Sequence, residues 1–231
     1  MSKNPASEFF EGPALVLGMA IESARWDQVE QLAQQVPLNT HHQKQMTFLH
    51  FALLKQQPRA LTLLIRRGAD PLIEVKGLGT ALGVAVMAEK TVFLKAIFEA
   101  GVGANVMDPH GMPYFFHAAT KDNLEALQLF IERGANLNLT TPAGRSVVLH
   151  AFFRTKYDAV AFLIQQGVAL ELPTTQGVTL ANALQKELLH QQVNPQTQAY
   201  QKLSELKHML EKRGVRFPVE TAEQVRLRLK P

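Results

Sequence analysis

The feature that most constrains the fold of this chain is a regular repeat with a period of about 33 residues. Four evenly spaced glycines mark it by opening the segments "GADPL", "GVGAN", "GANLN" and "GVALE", namely Gly68, Gly101, Gly134 and Gly167. A second set of glycines consists of Gly79, Gly111, Gly144 and Gly177, and its first interval is one residue shorter than the other two. A period of this length is typical of a protein built by stacking similar small units of secondary structure.

Each unit predicts two helices joined by a polar turn. A short apolar segment such as "TALGVAVM" follows the second glycine, and a longer amphipathic segment such as "LEALQLFIER" comes next. In the longer segment Leu124, Leu127 and Ile131 follow helical spacing. The first glycine then stands where the end of a helix needs a residue that tolerates the left-handed conformation. Because neither helix can bury its apolar side alone, the units are expected to stack.

The repeat divides the chain into segments with approximate limits 12–45, 46–78, 79–110, 111–143, 144–176 and 177–231. We therefore expect one all-α domain over residues 1–231, a solenoid of five to six helix-turn-helix units joined by hairpin loops. One position inside the first helix is expected to hold the set Ala52, Ala85, His117, His150 and Ala183. The last unit contains an insertion of about 14 residues around "LLHQQVNPQTQAYQKL", and the final "ETAEQVRLRLKP" predicts a solvated helical cap.

Composition excludes several classes of protein. With 46% hydrophobic and 19% charged residues, the 231 residues can bury a sizeable core in one domain or one array. The net charge of +4 comes without a dense basic tract or interleaved aromatics, so we expect no nucleic-acid partner. The absence of cysteine excludes disulfides, thiolate nucleophiles and cysteine-bound zinc. The N-terminal run "ALVLGMA" is too short for a signal peptide or a membrane span, so a soluble chain is expected.

The segment "GLGTALG", residues 77–83, has two interpretations. It could cradle a pyrophosphate as the glycine loop of a dinucleotide-binding βαβ unit, or it could be a turn of the repeat. Gly79 belongs to the second set of glycines, Gly77 to the loop before it and Gly83 to the following helix. Since no other segment supplies a parallel strand, we interpret "PLIEV" as one arm of a hairpin between units and expect no cofactor.

The sequence carries no signature of catalysis or metal binding. No hydrolytic, nucleotide-binding or His-Glu-x-x-His spacing occurs, and a stacked array offers no natural pocket for paired carboxylates. We therefore expect no catalytic residues, no metal site, no deep polar pocket and no enzyme activity. His41 and His42 are interpreted as exposed loop residues. His117 and His150 lie at equivalent positions of neighbouring units, where a buried, hydrogen-bonded pair is favoured over metal ligation.

Two motifs resemble those of a known family. "MTFLHFA" at residues 46–52 resembles the Thr-Pro-Leu-His-x-Ala helix start of ankyrin repeats, and "RRGADP" at residues 66–71 resembles their Gly-Ala-Asp helix end. The resemblance covers nearly the whole chain, from about residue 15 to residue 214. It implies an ankyrin-repeat solenoid in which His50 ties the first helix to its loop by a hydrogen bond. Phe48 stands where that family has proline.

A stacked array offers a concave face made by the hairpin tips and the exposed side of the first helices. The tip residues vary between units while the framework residues repeat. The candidate protein-binding residues are Leu54, Lys55, Glu74, Lys76, Met87, Met107, Asp108, His110, Thr120, Thr140, Thr141, Phe153, Arg154, Thr174 and Gln176. Apolar and aromatic groups beside an arginine are common anchors of interfaces, which favours Phe153. Phe152 is equally consistent with an anchor and with filling a gap beside His150.

A narrower resemblance is carried by "NPASEFFEG", "MTFLHFALLKQQPRALTLLIRRGADPL" and "AYQKLSELKHMLEKRGVRFP". These phrases are similar to a bacterial group of ankyrin proteins, often lipoproteins, that accompany phospholipase effectors of type VI secretion systems and are thought to act as their immunity proteins. The resemblance implies a protein that is monomeric when free and that binds a lipase-type toxin, blocking its active site or its approach to the membrane. It implies a periplasmic location, whereas a chain complete as given would be cytoplasmic.

Two alternatives stay open beside this interpretation. One is a generic ankyrin scaffold, or a secreted effector that engages another protein partner. The other is an enzyme built on a repeat scaffold, which would show itself by a deep polar pocket. The basic C-terminal side chains of Arg226, Arg228 and Lys230 could also dock on an acidic surface or on lipid, as an alternative to a solvated cap.

Overall fold

The computed structural model describes residues 5–191 and 196–229. Its helices form pairs: α1 (Gly12–Glu22) with α2 (Trp26–Leu32), α3 (Phe48–Leu54) with α4 (Pro58–Arg66), α5 (Ala81–Met87) with α6 (Val92–Glu99), α7 (Phe115–Thr120) with α8 (Leu124–Glu132), α9 (Val147–Phe153) with α10 (Tyr157–Gln165), and α11 (Leu180–Gln191) with α12 (Gln198–Lys212). A last helix, α13 (Ala222–Arg228), follows, and two short strands are β1 (Glu74–Val75) and β2 (Gly79–Thr80). The expected all-α class with paired helices is confirmed.

The described helices form two compact units, Met1–Asp108 and Pro109–Pro231. In the first unit α1 packs against α3, α3 against α5, α2 against α4 and α4 against α6. In the second unit α7 packs against α9, α9 against α11 and α10 against α12. Within each unit, first helices therefore contact first helices and second helices contact second helices, as stacking requires. A single domain over residues 1–231 stays a prediction.

Hydroxyl side chains start the first helices at a regular interval. Thr47, Thr80 and Ser146 are the N-caps of α3, α5 and α9, and each hydroxyl accepts a hydrogen bond from the backbone N–H three residues later. Such a cap satisfies one of the backbone donors that the first turn of a helix leaves unpaired. The caps therefore give an alignment of the units that does not depend on the glycines.

This alignment corrects the predicted position of two histidines. Ala118 and Ala151, both fully buried, occupy the position of the alanines in α3 and α5. His117, His150 and Ala183 each precede that position by one residue, so they do not belong to the set in which the sequence placed them. The error arose because the short first interval between the hairpin glycines shifts the frame by one residue.

A hairpin explains the glycines of "GLGTALG". Strands β1 and β2 pair antiparallel, with Val75 opposite Gly79, and Gly77 lies in the turn at a φ of 82°. Gly83 lies inside α5, where its N–H donates to the Thr80 hydroxyl. The interpretation as a hairpin tip followed by a helix start is confirmed. The predicted helix-ending glycine is also confirmed, since Gly68 follows α4 at a φ of 99° and has open space around its α-carbon.

His50 ties its helix to the loop before it, as the ankyrin resemblance implied, and also reaches the hairpin of the next repeat. Its Nδ1 lies 2.8 Å from the hydroxyl oxygen of Thr47, and its Nε2 lies 3.1 Å from the carbonyl oxygen of Gly79 in the next hairpin. Because a carbonyl only accepts, Nε2 carries the proton and Nδ1 accepts from the hydroxyl. Burial lowers the pKa of His50, which keeps the ring neutral and both bonds intact at neutral pH.

We expect His50→Ala to lower the free energy of unfolding by about 2–3 kcal/mol, because the buried Thr47 hydroxyl and the Gly79 carbonyl both lose their partner. Urea unfolding of the wild type and the variant measures this loss. The matched control is His190→Ala, which removes an exposed ring from α11 and is expected to change stability by less than about 0.5 kcal/mol. Equal losses in the two variants would show that the bridge does not stabilise the fold.

An aromatic cluster forms the core at the start of the first unit. The rings of Phe10 and Phe48 stack with centroids 4.7 Å apart, and Phe51 meets Phe10 edge-on at 5.1 Å. All three rings are fully buried. Phe48, which stands where the resembling family has proline, thus gains an aromatic partner from the N-terminal segment. Gly18 makes room for this packing, since a Cβ there would lie 2.6 Å from Cδ2 of Phe10.

The last helix pair of the second unit is longer than the others. Helix α11 has 12 residues and α12 has 15, compared with 7 in α9. Lys202 of α12 binds the Asp158 carboxylate of α10 at 2.7 Å, and the Arg213 guanidinium donates to the carbonyl oxygen of Ile164 at 2.6 Å. These contacts hold α12 on α10. Residues 192–195 of the predicted insertion lie outside the described residues.

The predicted C-terminal helix is α13, and it begins with a reciprocal capping box between Thr221 and Gln224. Val225 is its buried residue. The side-chain amide of Gln185 in α11 holds the segment before α13, since it donates to the carbonyl of Val219 at 3.1 Å and accepts from its N–H at 2.8 Å. The backbone of α13 lies directly against Gly177, where a side chain would not fit.

Candidate functional site

Most of the predicted surface residues are accessible. The exposed ones are Leu54, Glu74, Lys76, Met87, Met107, His110, Phe153, Arg154 and Gln176, and the half-buried ones are Thr120, Thr140, Thr141 and Thr174. Exposure is a requirement for binding a partner but does not identify one, so their role in binding stays a prediction.

Two of the predicted surface residues are corrected by the structure. The side chain of Lys55 is only 10% exposed, because its ammonium binds the Glu22 carboxylate at 2.7 Å and lies 5.4 Å from the centroid of the Phe51 ring. Glu22 precedes Lys55 by one full period of the repeat, so this ion pair joins adjacent units. Asp108 is also buried, with 9% exposure. The side chains of Lys55 and Asp108 are therefore too buried to contact a partner at the surface.

One position of the first helices recurs at the period of the repeat from α3 to α11. In the first unit it holds Leu54 and Met87, both large, apolar and exposed. In the second unit it holds Thr120, which is half-buried, and Phe153 and Lys186, which are exposed. Lys186 was missed by the sequence analysis although the period would have found it.

A groove of about 540 Å³ lies in the second unit beside Phe153. Its apolar lining includes Phe152, Phe153, Tyr157, Ala183, Leu189 and Ala222, and its charged lining residues are Lys186 and Glu187. Phe153 and Leu189 stand at its surface with 48% and 61% of their area exposed, whereas Phe152 is buried. Burial of Phe152 supports its role in filling the core and leaves Phe153 as the accessible ring.

The guanidinium of Arg145 lies against the exposed ring of Phe153. The guanidinium carbon of Arg145 lies 5.3 Å from its centroid, within the range of a cation–π contact. Arg154 follows Phe153 in sequence and is exposed, and Lys186 lines the groove. The Nε atom of Arg145 is buried without a hydrogen-bond partner. The groove thus combines an apolar lining with the charged residues Lys186 and Glu187, and Arg145 lies against its exposed ring.

His150 is buried as predicted, but its predicted hydrogen bonding is wrong. Its Nδ1 is buried without a hydrogen-bond partner, and its ring meets Phe116 edge-on at 5.5 Å. Burial, and after it the charges of Arg145, Arg154 and His117, lower the pKa of His150 to about 4. His117 is half-buried. His150 is therefore neutral at physiological pH and packs as an aromatic core residue.

The lowered pKa of His150 predicts a loss of stability in acid. The unfolded chain takes up a proton near pH 6.5 and the folded chain only near pH 4, so stability falls as the pH falls through this interval. Solvent screening reduces the effect to about 1–2 kcal/mol. His150→Phe, which copies the residue at the same position of α3, is expected to lose less stability across the interval. Equal losses of stability in the two proteins between pH 6.5 and pH 4 would show that His150 does not cause the loss.

Of the adjacent histidines His41 and His42, only one is as exposed as predicted. His41 is exposed, and its Nε2 lies 3.0 Å from the carbonyl oxygen of Glu74. His42 was expected to be exposed but is half-buried, with its ring 5.0 Å from Phe10 and 4.9 Å from Phe48. Burial lowers the pKa of His42, and the charge of His41 lowers it further. The aromatic cluster explains this burial.

We searched the described residues for metal sites, for membrane-spanning helices and for free basic side chains near the C-terminus. Across residues 5–191 and 196–229, no group of three His, Asp or Glu side chains is placed to hold a metal ion. No helix in that part of the chain is long and apolar enough to cross a bilayer. Of the basic C-terminal residues, Arg228 binds the Glu220 carboxylate at 3.0 Å and Arg226 is half-buried. Lys230 lies outside the described residues.

Comparison with solved structures identifies the fold. The ankyrin repeat domain of Bcl-3, a member of the IκB protein family, matches with a TM-score of 0.69 and 21% identity over 90% of this chain and 89% of that domain. An ankyrin repeat domain from Acinetobacter baumannii AYE matches with a TM-score of 0.61 and 19% identity over 84% of this chain and 96% of that one. No protein-family model matches the chain, and no curated protein matches it in sequence. The chain has the all-α ankyrin-repeat fold, as predicted.

Proposed function

We propose that the chain is a non-catalytic protein-binding module, and that it binds and inhibits a phospholipase effector of a type VI secretion system. The observation that carries the binding role is the position of Phe153, an exposed aromatic ring between an apolar groove and the guanidinium of Arg145. Burying such a ring against a partner yields much of the free energy of a protein interface. A repeat scaffold suits this role because its framework stays constant while its surface residues vary.

The proposed identity of the partner rests on the similarity of three sequence segments to the immunity proteins that accompany type VI secretion phospholipase effectors. Under this proposal the protein acts by covering the active site of the lipase or the surface with which the lipase meets its membrane. A periplasmic location is part of the proposal, since proteins of that group are often lipoproteins. Under this proposal the protein is a monomer before it binds the lipase, and it inhibits the lipase without catalysing a reaction itself.

A growth experiment tests the proposal and the compartment together. A phospholipase effector encoded next to the gene of this chain is exported to the periplasm of a bacterium that lacks both genes. The chain with an added export signal is expected to restore growth, and the same chain without the signal is not. Rescue only by the cytoplasmic form would keep the immunity role and correct the compartment. No rescue by either form, with both proteins expressed, would return the chain to a scaffold for another partner.

A further inference from the structure

We infer that the groove between α9, α11 and α13 binds a segment of the partner protein that carries an apolar side chain next to one or more carboxylates. The inference rests on the proposed role as a protein-binding module and specifies the chemistry of the partner at this site. It concerns residues of the second unit alone.

The shape of the groove fits an apolar side chain of a protein segment. The space of about 540 Å³ lies in the size range of ligand sites, and it is bounded by Phe153, Leu189 and Tyr157. Phe153 and Leu189 leave about half of their surface or more in water. An inserted apolar group would cover both side chains at once, which is the arrangement of an interface anchor.

The polar groups at the floor of the groove already have partners within the protein. The Asn182 amide donates to the carbonyl of Gly177 at 3.0 Å and accepts from the N–H of Thr179 at 3.0 Å. The Gln185 amide is held by Val219 through two hydrogen bonds. A small polar ligand would therefore compete with these bonds, whereas an apolar group can enter without breaking them.

The charges at the rim select for an acidic partner. Lys186 lines the groove, the guanidinium of Arg145 lies against the ring of Phe153, and Glu187 is the acidic residue of the lining. The charge of Glu187 acts on Tyr157, whose pKa is raised by burial first and by this carboxylate second. Two cations thus adjoin the groove and its exposed ring, beside one carboxylate. Carboxylates of a bound segment would gain charge-assisted hydrogen bonds from these cations, and basic segments would be repelled.

The walls of this groove come from parts of the chain that depart from the repeat. Helix α11 continues beyond Lys186, so Leu189 lies three residues further on the same side of the helix. Thr221 and Ala222 of the C-terminal segment close another side. An ordinary repeat with a 7-residue first helix, such as α9, would end before Leu189. The extended helix α11 and the C-terminal segment therefore form walls of the groove as well as capping the array.

The test is a selection of short random peptides displayed on phage and bound to the immobilised full chain. Enriched peptides are expected to combine an aromatic or large aliphatic residue with neighbouring Asp or Glu. Synthetic versions of them should bind about tenfold or more weakly to Phe153→Ala, and several-fold more weakly to Lys186→Glu. Matched controls from the same unit are Leu124→Ala and Lys212→Glu, which change exposed side chains outside the groove and should leave the affinity unchanged.

Three results of the peptide experiment would overturn the inference, and one result with a lipid would do so as well. They are enrichment of peptides without acidic residues, affinities that do not respond to Phe153→Ala or Lys186→Glu, and failure to enrich any peptide. Saturable binding of dodecanoate that competes with the enriched peptides would also overturn it by assigning the groove to a lipid carboxylate. Because the selection uses no lipase, it can succeed while the growth experiment fails, and the growth experiment can succeed through another surface while the selection fails.

Discussion

Gly177→Ala is expected to lower the free energy of unfolding by about 2–4 kcal/mol and to detach helix α13. Gly177 has a φ of 77°, a conformation that costs an alanine about 1 kcal/mol or more. Its Cβ would collide with the carbonyl oxygen of Ala222 and lie 2.6 Å from the backbone nitrogen of Arg226. Backbone atoms of a helix cannot move aside one at a time, so the whole of α13 must shift.

A second glycine separates the cost of the backbone conformation from the cost of the collision with α13. Gly68 has a φ of 99° but nothing within 4 Å of the position of a Cβ, so Gly68→Ala carries the conformational cost without the collision. Urea unfolding should give a loss of about 1 kcal/mol for Gly68→Ala and a clearly larger loss for Gly177→Ala. Hydrogen exchange should show faster exchange of the α13 amides in Gly177→Ala alone. Equal losses with α13 still protected would contradict the described packing.

The combined variant Phe153→Ala and Arg154→Glu is expected to weaken binding of the partner by about 100-fold. The first change removes an anchor ring and the second places a negative charge where the partner is expected to be acidic. The fold should survive, since both side chains are exposed and the lost contact between Arg145 and Phe153 is worth about 1 kcal/mol or less. Calorimetric titration with the partner measures the affinity, and thermal unfolding verifies that the variant is folded.

The control for this variant combines Leu124→Ala with Lys212→Glu, a comparable loss of apolar area and an equal change of charge elsewhere in the same unit. Its affinity should match that of the wild type within about threefold. Charge reversal at Lys76, an exposed residue of the first unit, tests whether that unit contributes too and should weaken binding if it does. Wild-type affinity in the Phe153 and Arg154 variant would remove the groove from the binding surface.

The repeating parts of the fold were predictable because each period repeats the same physical requirement. A helix end needs a residue that tolerates positive φ and the hairpin needs its own glycines, so Gly68 and Gly79 were recognisable from spacing. The hydroxyl cap Thr47 recurs as regularly but was not used in the prediction. The bridge made by His50 followed from the family resemblance of its motif. Errors appeared where the spacing itself changed by one residue, as it did before His117.

The non-repeating parts could not be predicted in the same way. The burial of Lys55 depends on a carboxylate one unit earlier, and that of His42 depends on Phe10, which precedes the first helix pair. Neither relation is visible when a unit is considered alone. The groove was missed for a related reason, since Leu189 and Ala222 come from the insertion and the tail, where no period relates them to Phe153.

The proposed inhibition of a phospholipase by this chain can be measured by titrating the activity of the enzyme. Hydrolysis of phospholipid vesicles by the purified effector is measured as the chain is added. We expect activity to fall in proportion to the added chain and to end near a fixed stoichiometric ratio. The Phe153 and Arg154 variant should require a large excess for the same inhibition. Undiminished hydrolysis in the presence of a large excess of the folded wild-type chain would contradict the claim.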